Sequence, residues 1–399
     1  MVRDNKMQHT DIGLIPVDWQ VVELGEIGKN IIGLTYSPND VKEYGQLVLR
    51  SSNIQNNKLA FFNNVFVRMD LPDRVIVKEN DILICVRNGS KDLIGKCALI
   101  DKKTEGSAFG AFMSIYRTQY SKFIFHQFQS NIIQKQIDEV MGATINQLTN
   151  KDLSRFQIPL PPLSEQEAIA RALSDCDLWV ESLEQVVAKK RLIKQGAIQE
   201  LLTPKEDWEV KKLGDIADVR DGTHQTPTYV ETGIPFYSVE SVTKNDFKNT
   251  KFITEGAHKI LTKTFRIERG DILMTRIGSI GDCKLVDWEV NASFYVSLAL
   301  LKIKKEVSSS YICHFSKSNF FLKEADLNSL QSAIPKKINL GPISNIKILL
   351  PPLSEQTRIA KILSDMDEEI EALEQKLKKA GQIKQGMMQE LLTGRVRLV

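Results

Sequence analysis

The amino-acid sequence is written twice, so its fold has to use one order of elements two times over. PVDWQVVELGEIG at 16–28 returns as PKEDWEVKKLGDIA at 204–217, aligning Trp19 with Trp208 and Leu24-Gly25 with Leu213-Gly214. NDILICVRNGS at 80–90 returns as GDILMTRIGS at 270–279, with a one-residue difference in length between the shared DIL and the shared Arg and Gly-Ser elements. GATINQLTNKDL at 142–153 has a weaker echo in SAIPKKINLGPI at 332–343. PLPPLSEQEAIARALSDCD at 159–177 matches LLPPLSEQTRIAKILSDMD at 349–367, and KQGAIQELLT at 194–203 matches KQGMMQELLTG at 384–394. A colinear series at a displacement near 190 residues is a duplication and not a coincidence of composition. The expected organisation is a mixed domain over 1–158, a helix over 159–203, a second mixed domain over 204–348 and a second helix over 349–399.

Within the mixed segments, QLVLR (46–50), NVFVRM (64–69), RVIV (74–77), DILICV (81–86) and SFYVSLALLKI (293–303) read as short strands bounded by Asn, Gly and Asp clusters, while 121–139 and 310–325 read as helices. Each domain is therefore expected to be an irregular mixed α/β fold. Phe61, Phe62, Trp19 and Trp208 are assigned to core or domain-edge packing.

The helical segments carry a heptad seam. Ile169, Leu173, Cys176, Val180, Leu183 and Val187 advance in steps of four and three, followed by Ala197 and Leu201. The same phase in the second copy gives Ile359, Leu363, Met366, Ile370, Leu373, Leu377, Ala380, Met387 and Leu391, and Lys190, Lys194 and Lys384 interrupt it. The paired prolines (Pro161-Pro162 and Pro351-Pro352) end the preceding segment, and Ser164 and Ser354 are candidate N-caps, with Glu167 placed to close a capping box. Each helix should span about 57 Å. Two such seams predict an antiparallel coiled coil acting as a spacer; packing of each helix on its own domain, or against another chain, also satisfies the pattern. Gly196 and Gly386 lie in register inside the helices, which suggests close approach of a partner helix or a local kink.

Composition is permissive. Fifty-three basic and 50 acidic residues give a net charge of +3, compatible with DNA binding through local patches without demanding it. Five scattered cysteines, with no CxxC pair, support neither a disulfide framework nor a zinc site. No apolar run is long enough to span a bilayer and no signal peptide is evident, so a cytoplasmic protein with no membrane partner is expected.

Two similar domains on an antiparallel helical pair suit a duplex read as two half-sites. The candidate DNA contacts lie in polar turns: Arg50 and Asn53; Arg87, Asn88, Ser90 and Lys91; Thr223, His224 and Gln225; Arg276 and Ser279; and Lys336 and Lys337. Arg and Asn side chains can read guanine and adenine edges, while Ser and Lys hold phosphate. A structural turn, its arginine paired with a carboxylate, is the competing reading of the loops after DIL. No NPPY-like or DPPY-like element, no ATP-binding glycine loop and no H-E-x-x-H motif occurs. A coiled-coil adaptor that never touches DNA, or an enzyme with an unrecognised site, would be the alternatives.

The doubled PPLSEQ helix start, the Trp-x-x-x-x-Leu-Gly opening, the DIL segment with its Arg and Gly-Ser, and the DGTHQTP loop together resemble the specificity subunit of type I restriction-modification enzymes. The resemblance covers essentially the whole chain. It implies two target recognition domains, each reading half of a split asymmetric site on double-stranded DNA, with helices whose length sets the gap. It further implies two methylase subunits meeting helix segments 164–202 and 354–392, and up to two restriction subunits. No cofactor is expected on this chain; S-adenosylmethionine, ATP and Mg2+ belong to the partners.

Overall fold

The computed structural model describes residues 6–141 and 147–398. The GATIN end of the weakest repeat lies outside them. The chain forms two compact units, one of residues 1–184 with 376–399 and the other of residues 185–375. The four-segment division expected above is not how the contacts partition, because each long helix contributes about half of itself to either unit.

In the first unit, a four-stranded antiparallel sheet has the order Cys97–Leu99, Ile82–Cys85, Met113–Arg117, Lys29–Ile32. The second unit repeats that order with Cys283–Leu285, Ile272–Thr275, Leu298–Ile303 and Ala217–Asp221. The DIL motif supplies the central strand in both, where Ile82, Leu83, Ile272 and Leu273 are fully buried. Its aspartate has a structural role. Asp81 accepts from the Lys78 amide at 2.7 Å and from Arg117 Nε and Nη2 at 2.7 Å each. Asp271 likewise accepts from the Glu268 amide and from Lys302 Nζ, both at 2.8 Å. Each unit adds a second four-stranded sheet containing one parallel pair, Ala108–Phe109 with Gln46–Leu49 and Ser293–Phe294 with Ile234–Tyr237.

Several expected elements are broken by turns. RVIV begins in a 3-10 turn, Asp73–Val75, and its Val75 and Val77 still enter the core. The strand expected over 293–303 splits into Ser293–Phe294 and Leu298–Ile303. The helices expected over 121–139 and 310–325 each divide in two, because Ser130 and Ser318 stop one helix and cap the next by accepting from the Ile133 and Phe321 amides.

The long helices are Leu163–Leu201 and Leu353–Leu391, each of 39 residues. They start before Ser164 and Ser354, which are exposed first-turn residues and not N-caps. The glutamine of PPLSEQ fixes the start instead: Gln166 Nε2 donates to the Pro161 carbonyl and Gln356 Nε2 to the Pro351 carbonyl, both at 2.8 Å. The turn that follows the second helix closes at Gly394, whose φ of +71° favours glycine.

In the first unit, the start of the first long helix lies antiparallel to the end of the second. Cys176 Sγ is 3.3 Å from Met387 Sδ, and Asp177 pairs with Lys384 at 2.5 Å. In the second unit, the end of the first helix lies antiparallel to the start of the second, through Lys190 with Glu369 and Arg191 with Glu374, both at 2.6 Å, and Lys194 with Asp367. Along the seam, Ile169, Leu173, Leu183, Val187, Ile359, Leu363 and Ile370 are buried, while Val180, Met366, Leu373 and Leu377 are half-buried. The two long helices form the antiparallel coiled coil that the heptads predict.

The glutamate of PPLSEQ ties the chain's ends together in the first unit. Buried Glu165 accepts from Trp19 Nε1 at 3.1 Å and from Arg397 Nε and Nη2 at 2.6 and 2.7 Å. Arg397 also makes a bidentate pair with Asp18 at 2.9 Å. In the second unit, Glu355 pairs with Lys205, whose side chain is 57% exposed. Breaking a buried pair leaves an uncompensated charge, whereas an open pair is screened. Arg397→Ala should therefore cost about 2–4 kcal/mol, and Lys205→Ala less than about 1 kcal/mol, in urea unfolding of the full chain. Equal losses would contradict this account of the glutamate.

Candidate nucleic-acid interface

The loops that follow the DIL strands differ in a way that one residue of register explains. Val86 and Arg276 occupy the same place in their domains: the Val86 amide donates to Phe112 O at 3.0 Å and the Arg276 amide to Ser297 O at 2.9 Å. Their carbonyls accept from the Leu148 and Ile338 amides at 2.8 and 2.9 Å. Arg87 therefore aligns with Ile277, not with Arg276 as the sequence pairing proposed. Because side chains alternate faces along extended backbone, that shift sends one arginine outward and the other inward.

Arg87 is exposed, with its guanidinium 5.1 Å from the centroid of the Phe112 ring, itself 56% exposed. Asn88 Nδ2 donates to Ser51 Oγ at 3.1 Å, which brings the turns at 50–53 and 87–91 together. Asn88 Oδ1 accepts from the Ser90 amide at 3.1 Å, and Ser90 and Lys91 are exposed beside it. Arg50 is half-buried, and its Nη2 donates to the Asn63 carbonyl at 3.1 Å. Asn53 faces inward. It is fully buried, accepting from the Arg50 amide at 3.0 Å and donating to Ala60 O at 2.8 Å and Asn64 Oδ1 at 3.1 Å, so it shapes the turn and is not open to a base.

Phe61 and Phe62 are 47% and 58% exposed on the segment that Arg50 holds, correcting their assignment to packing; Trp19 and Trp208 are buried as expected. This face joins cationic, amide and aromatic groups, a combination suited to phosphate, base edges and base faces. Phe112 gave no sequence signal, since GAF between two strands looks like core.

In the second domain the exposed polar loop is DGTHQTP. Gly222 is obligatory there, because a Cβ would come within 2.6 Å of the Tyr295 backbone. Arg276 is buried and organises this loop from beneath. Its Nη1 donates to Asp221 Oδ1 at 2.5 Å and its Nε to the Ile338 carbonyl at 3.2 Å. The other Asp221 oxygen lies 2.7 Å from Nε2 of exposed His224. Arg276 is thus a support for His224 and not a base reader, because burial and an acidic partner occupy its donors.

Thr223 Oγ1 donates to Gln225 O at 3.1 Å, and Gln225 is exposed. Ser279 is exposed and donates to Asp282. The Gly278 amide donates to the Lys336 carbonyl at 2.8 Å, placing the two turns together. The Lys336 ammonium pairs with Asp326, while Lys337 is exposed. Among the described residues, no group of three or more His, Cys, Asp or Glu side chains is arranged to hold a metal ion, and no helix is long and apolar enough to cross a membrane. Removing the buried arginine takes from Asp221 its buried cationic partner and leaves the Ile338 carbonyl without that donor, so Arg276→Ala should lower stability by about 2–4 kcal/mol, while Arg87→Ala should stay within about 0.5 kcal/mol of the unsubstituted chain. Thermal unfolding of both variants checks this; comparable losses would place Arg87 in the core instead.

The pattern of the family described as the type I restriction modification DNA specificity domain matches residues 16–192 and again residues 205–381. The chain is 27% identical over 405 residues to the type I restriction enzyme EcoKI specificity subunit of Escherichia coli, covering 92% of this chain and 86% of that one. It is 26% identical over 412 residues to the MjaVIII specificity subunit of Methanocaldococcus jannaschii, covering 96% and 94%. Its fold is similar to the crystal structure of the type I restriction-modification system S subunit from M. genitalium, with a TM-score of 0.65 and 16% identity over 98% of both chains. Matched twice over most of its length, the chain belongs to the type I restriction modification DNA specificity domain family.

Proposed function

We propose that this chain is the non-catalytic DNA-reading subunit of a type I restriction-modification enzyme, with each domain reading one half of a split, asymmetric duplex site. The supporting observation is the contrast between scaffold and loops. One strand order and one DIL core occur twice, but the exposed groups differ: Arg87, Lys91 and Phe112 in one domain, His224 and Gln225 in the other. Like frames with unlike polar faces suit two different half-sites. Adenine methylation with S-adenosylmethionine, and ATP- and Mg2+-dependent translocation and cleavage, are assigned to partner subunits. Sequencing the methylated genome of cells with and without the gene should show a two-part motif with a fixed gap that disappears on deletion; an unchanged methylome would overturn the reading.

Two methylase subunits, and up to two restriction subunits, complete the proposed assembly. Identical exposed residues on the helices support a partner met twice. Lys189, Ile193, Gly196 and Gln199 recur as Lys379, Ile383, Gly386 and Gln389, all exposed. The mid-helix surface diverges, with Leu178, Trp179, Val186 and Ala188 standing where the second copy has Glu368, Glu369, Lys376 and Lys378. No described atom outside its own helix lies within 4 Å of a Cβ built at Gly196 or Gly386, so nothing in this chain requires glycine there. A helix-interior glycine costs about 1 kcal/mol relative to alanine, a cost that close approach of a partner backbone would explain. Gly196→Leu and Gly386→Leu should each leave the chain folded and slightly more stable, yet each remove one methylase subunit from the complex by native mass spectrometry. Retention of both copies by the double variant would contradict this docking surface.

A further inference from the structure

The same polar cluster stands in both units where a recognition domain meets the helix pair. In the first, His126 Nε2 is 3.3 Å from Ser174 Oγ and its Nδ1 is 4.0 Å from Asp177, which pairs with Lys384 at 2.5 Å. In the second, His314 Nε2 is 2.9 Å from Ser364 Oγ and its Nδ1 is 3.9 Å from Asp367, which pairs with Lys194 and, at 3.6 Å, with Lys317. Three elements converge each time: the histidine comes from the recognition domain, the serine and aspartate from the start of one long helix, and the lysine from the end of the other.

Several properties set these clusters apart from ordinary packing. Lys194 and Lys384 fall at seam positions, seven residues beyond Val187 and Leu377, and are only 11% and 19% exposed. An apolar side chain would continue the heptad there, and replacing a buried ion pair with apolar groups is often neutral or stabilising. Stability alone does not explain a lysine at this position in both copies. What a charged hydrogen bond adds is direction, and a polar residue in an apolar seam fixes a single arrangement at some cost in stability. Burial lowers both imidazoles to a pKa of about 4, so they are neutral and the charges in the cluster belong to lysine and aspartate. The Ser174–His126–Asp177 set is no hydrolytic triad, since the histidine is 1% exposed and the 4.0 Å approach to the carboxylate is too long for a hydrogen bond.

We infer that these two clusters are alignment joints, with Lys194 and Lys384 acting as positioning residues that fix the angle between each recognition domain and its helix pair and so hold the complex to one gap length. The inference rests on the DNA-reading function proposed above. One base pair of gap is about 3.4 Å of duplex, a distance that a small tilt at the root of a domain produces at its loops.

The test uses the full chain assembled with its methylase subunits and duplexes carrying the native gap, or a gap one base pair longer or shorter. Lys194→Met with Asp367→Leu, and Lys384→Met with Asp177→Leu, each of which removes both charges of a pair, should unfold at the same temperature as the unsubstituted chain or higher. Their preference for the native gap over its neighbours should nevertheless fall about tenfold or more, a discrimination comparable to one mismatched base pair. Lys194→Arg, which keeps the charge, should keep the preference. Full gap discrimination in the methionine variants would overturn the inference. So would loss of folding, or loss of methylation at every gap, since those results make the lysines stability or assembly elements. Failure of the unsubstituted complex to methylate any split site would instead refute the underlying function, and the joint with it.

Discussion

Each domain core depends on the end of a helix that belongs to the other repeat. In the first unit, Ile169, Ala170 and Leu173 from the start of one long helix share a core with Leu391 and Leu392 from the end of the other. In the second unit, Leu202 joins Ile359, Ala360 and Leu363 in the same way. A helix of 39 residues is a rod of roughly 58 Å, so its two ends cannot fold back into one core. The duplicated chain solves this by antiparallel pairing, which gives each core one helix start and one helix end. A single repeat would leave both Leu391-Leu392 and the Arg397 clamp without their site.

The PPLSEQ element is the anchor of that arrangement, and its letters have separable tasks. The prolines stop the strand before the helix. The glutamine returns a hydrogen bond to the first proline carbonyl in both copies, and the buried glutamate of the first copy gathers Trp19 and Arg397. In the second copy Gln356 Oε1 also accepts from the Ser308 amide at 2.9 Å, tying the helix start to the domain helix that bears His314. The serine, which looks like the cap from sequence, is exposed and makes none of these contacts.

How much of this was legible follows from the range of the interactions. The duplication, the heptads and the apolar DIL strand are local patterns with a fixed period, so the helices, their apolar seams and the central strand are legible directly, while the seam alone leaves open what each helix packs against. Local pattern does not suffice where one residue decides a face. Arg87 and Arg276 look equivalent in RNGS and RIGS, yet the single-residue length difference places Arg276 at the inward position occupied by Val86. Its burial depends on Asp221, 55 positions away. Asn53 fails for the same reason: its partners Ala60 and Asn64 close a turn that composition alone marks as exposed. Phe61 and Phe62 depart in the opposite direction, since an aromatic beside a strand is usually core.

The distribution of supports explains how two unlike faces can sit on one frame. In each domain the aspartate of DIL is held by a cation from the neighbouring strand, Arg117 or Lys302, which fixes the sheet without involving the loops at its far end. Those loops are then stabilised by partners of their own: Ser51 under Asn88, and Arg276 with Asp221 under His224. Because the supports are separate, substitutions in a loop and its own support can alter the exposed groups while the strand order and the helix contacts persist. Separation of this kind is what the sequence records, with loops that have diverged and helix ends that have not.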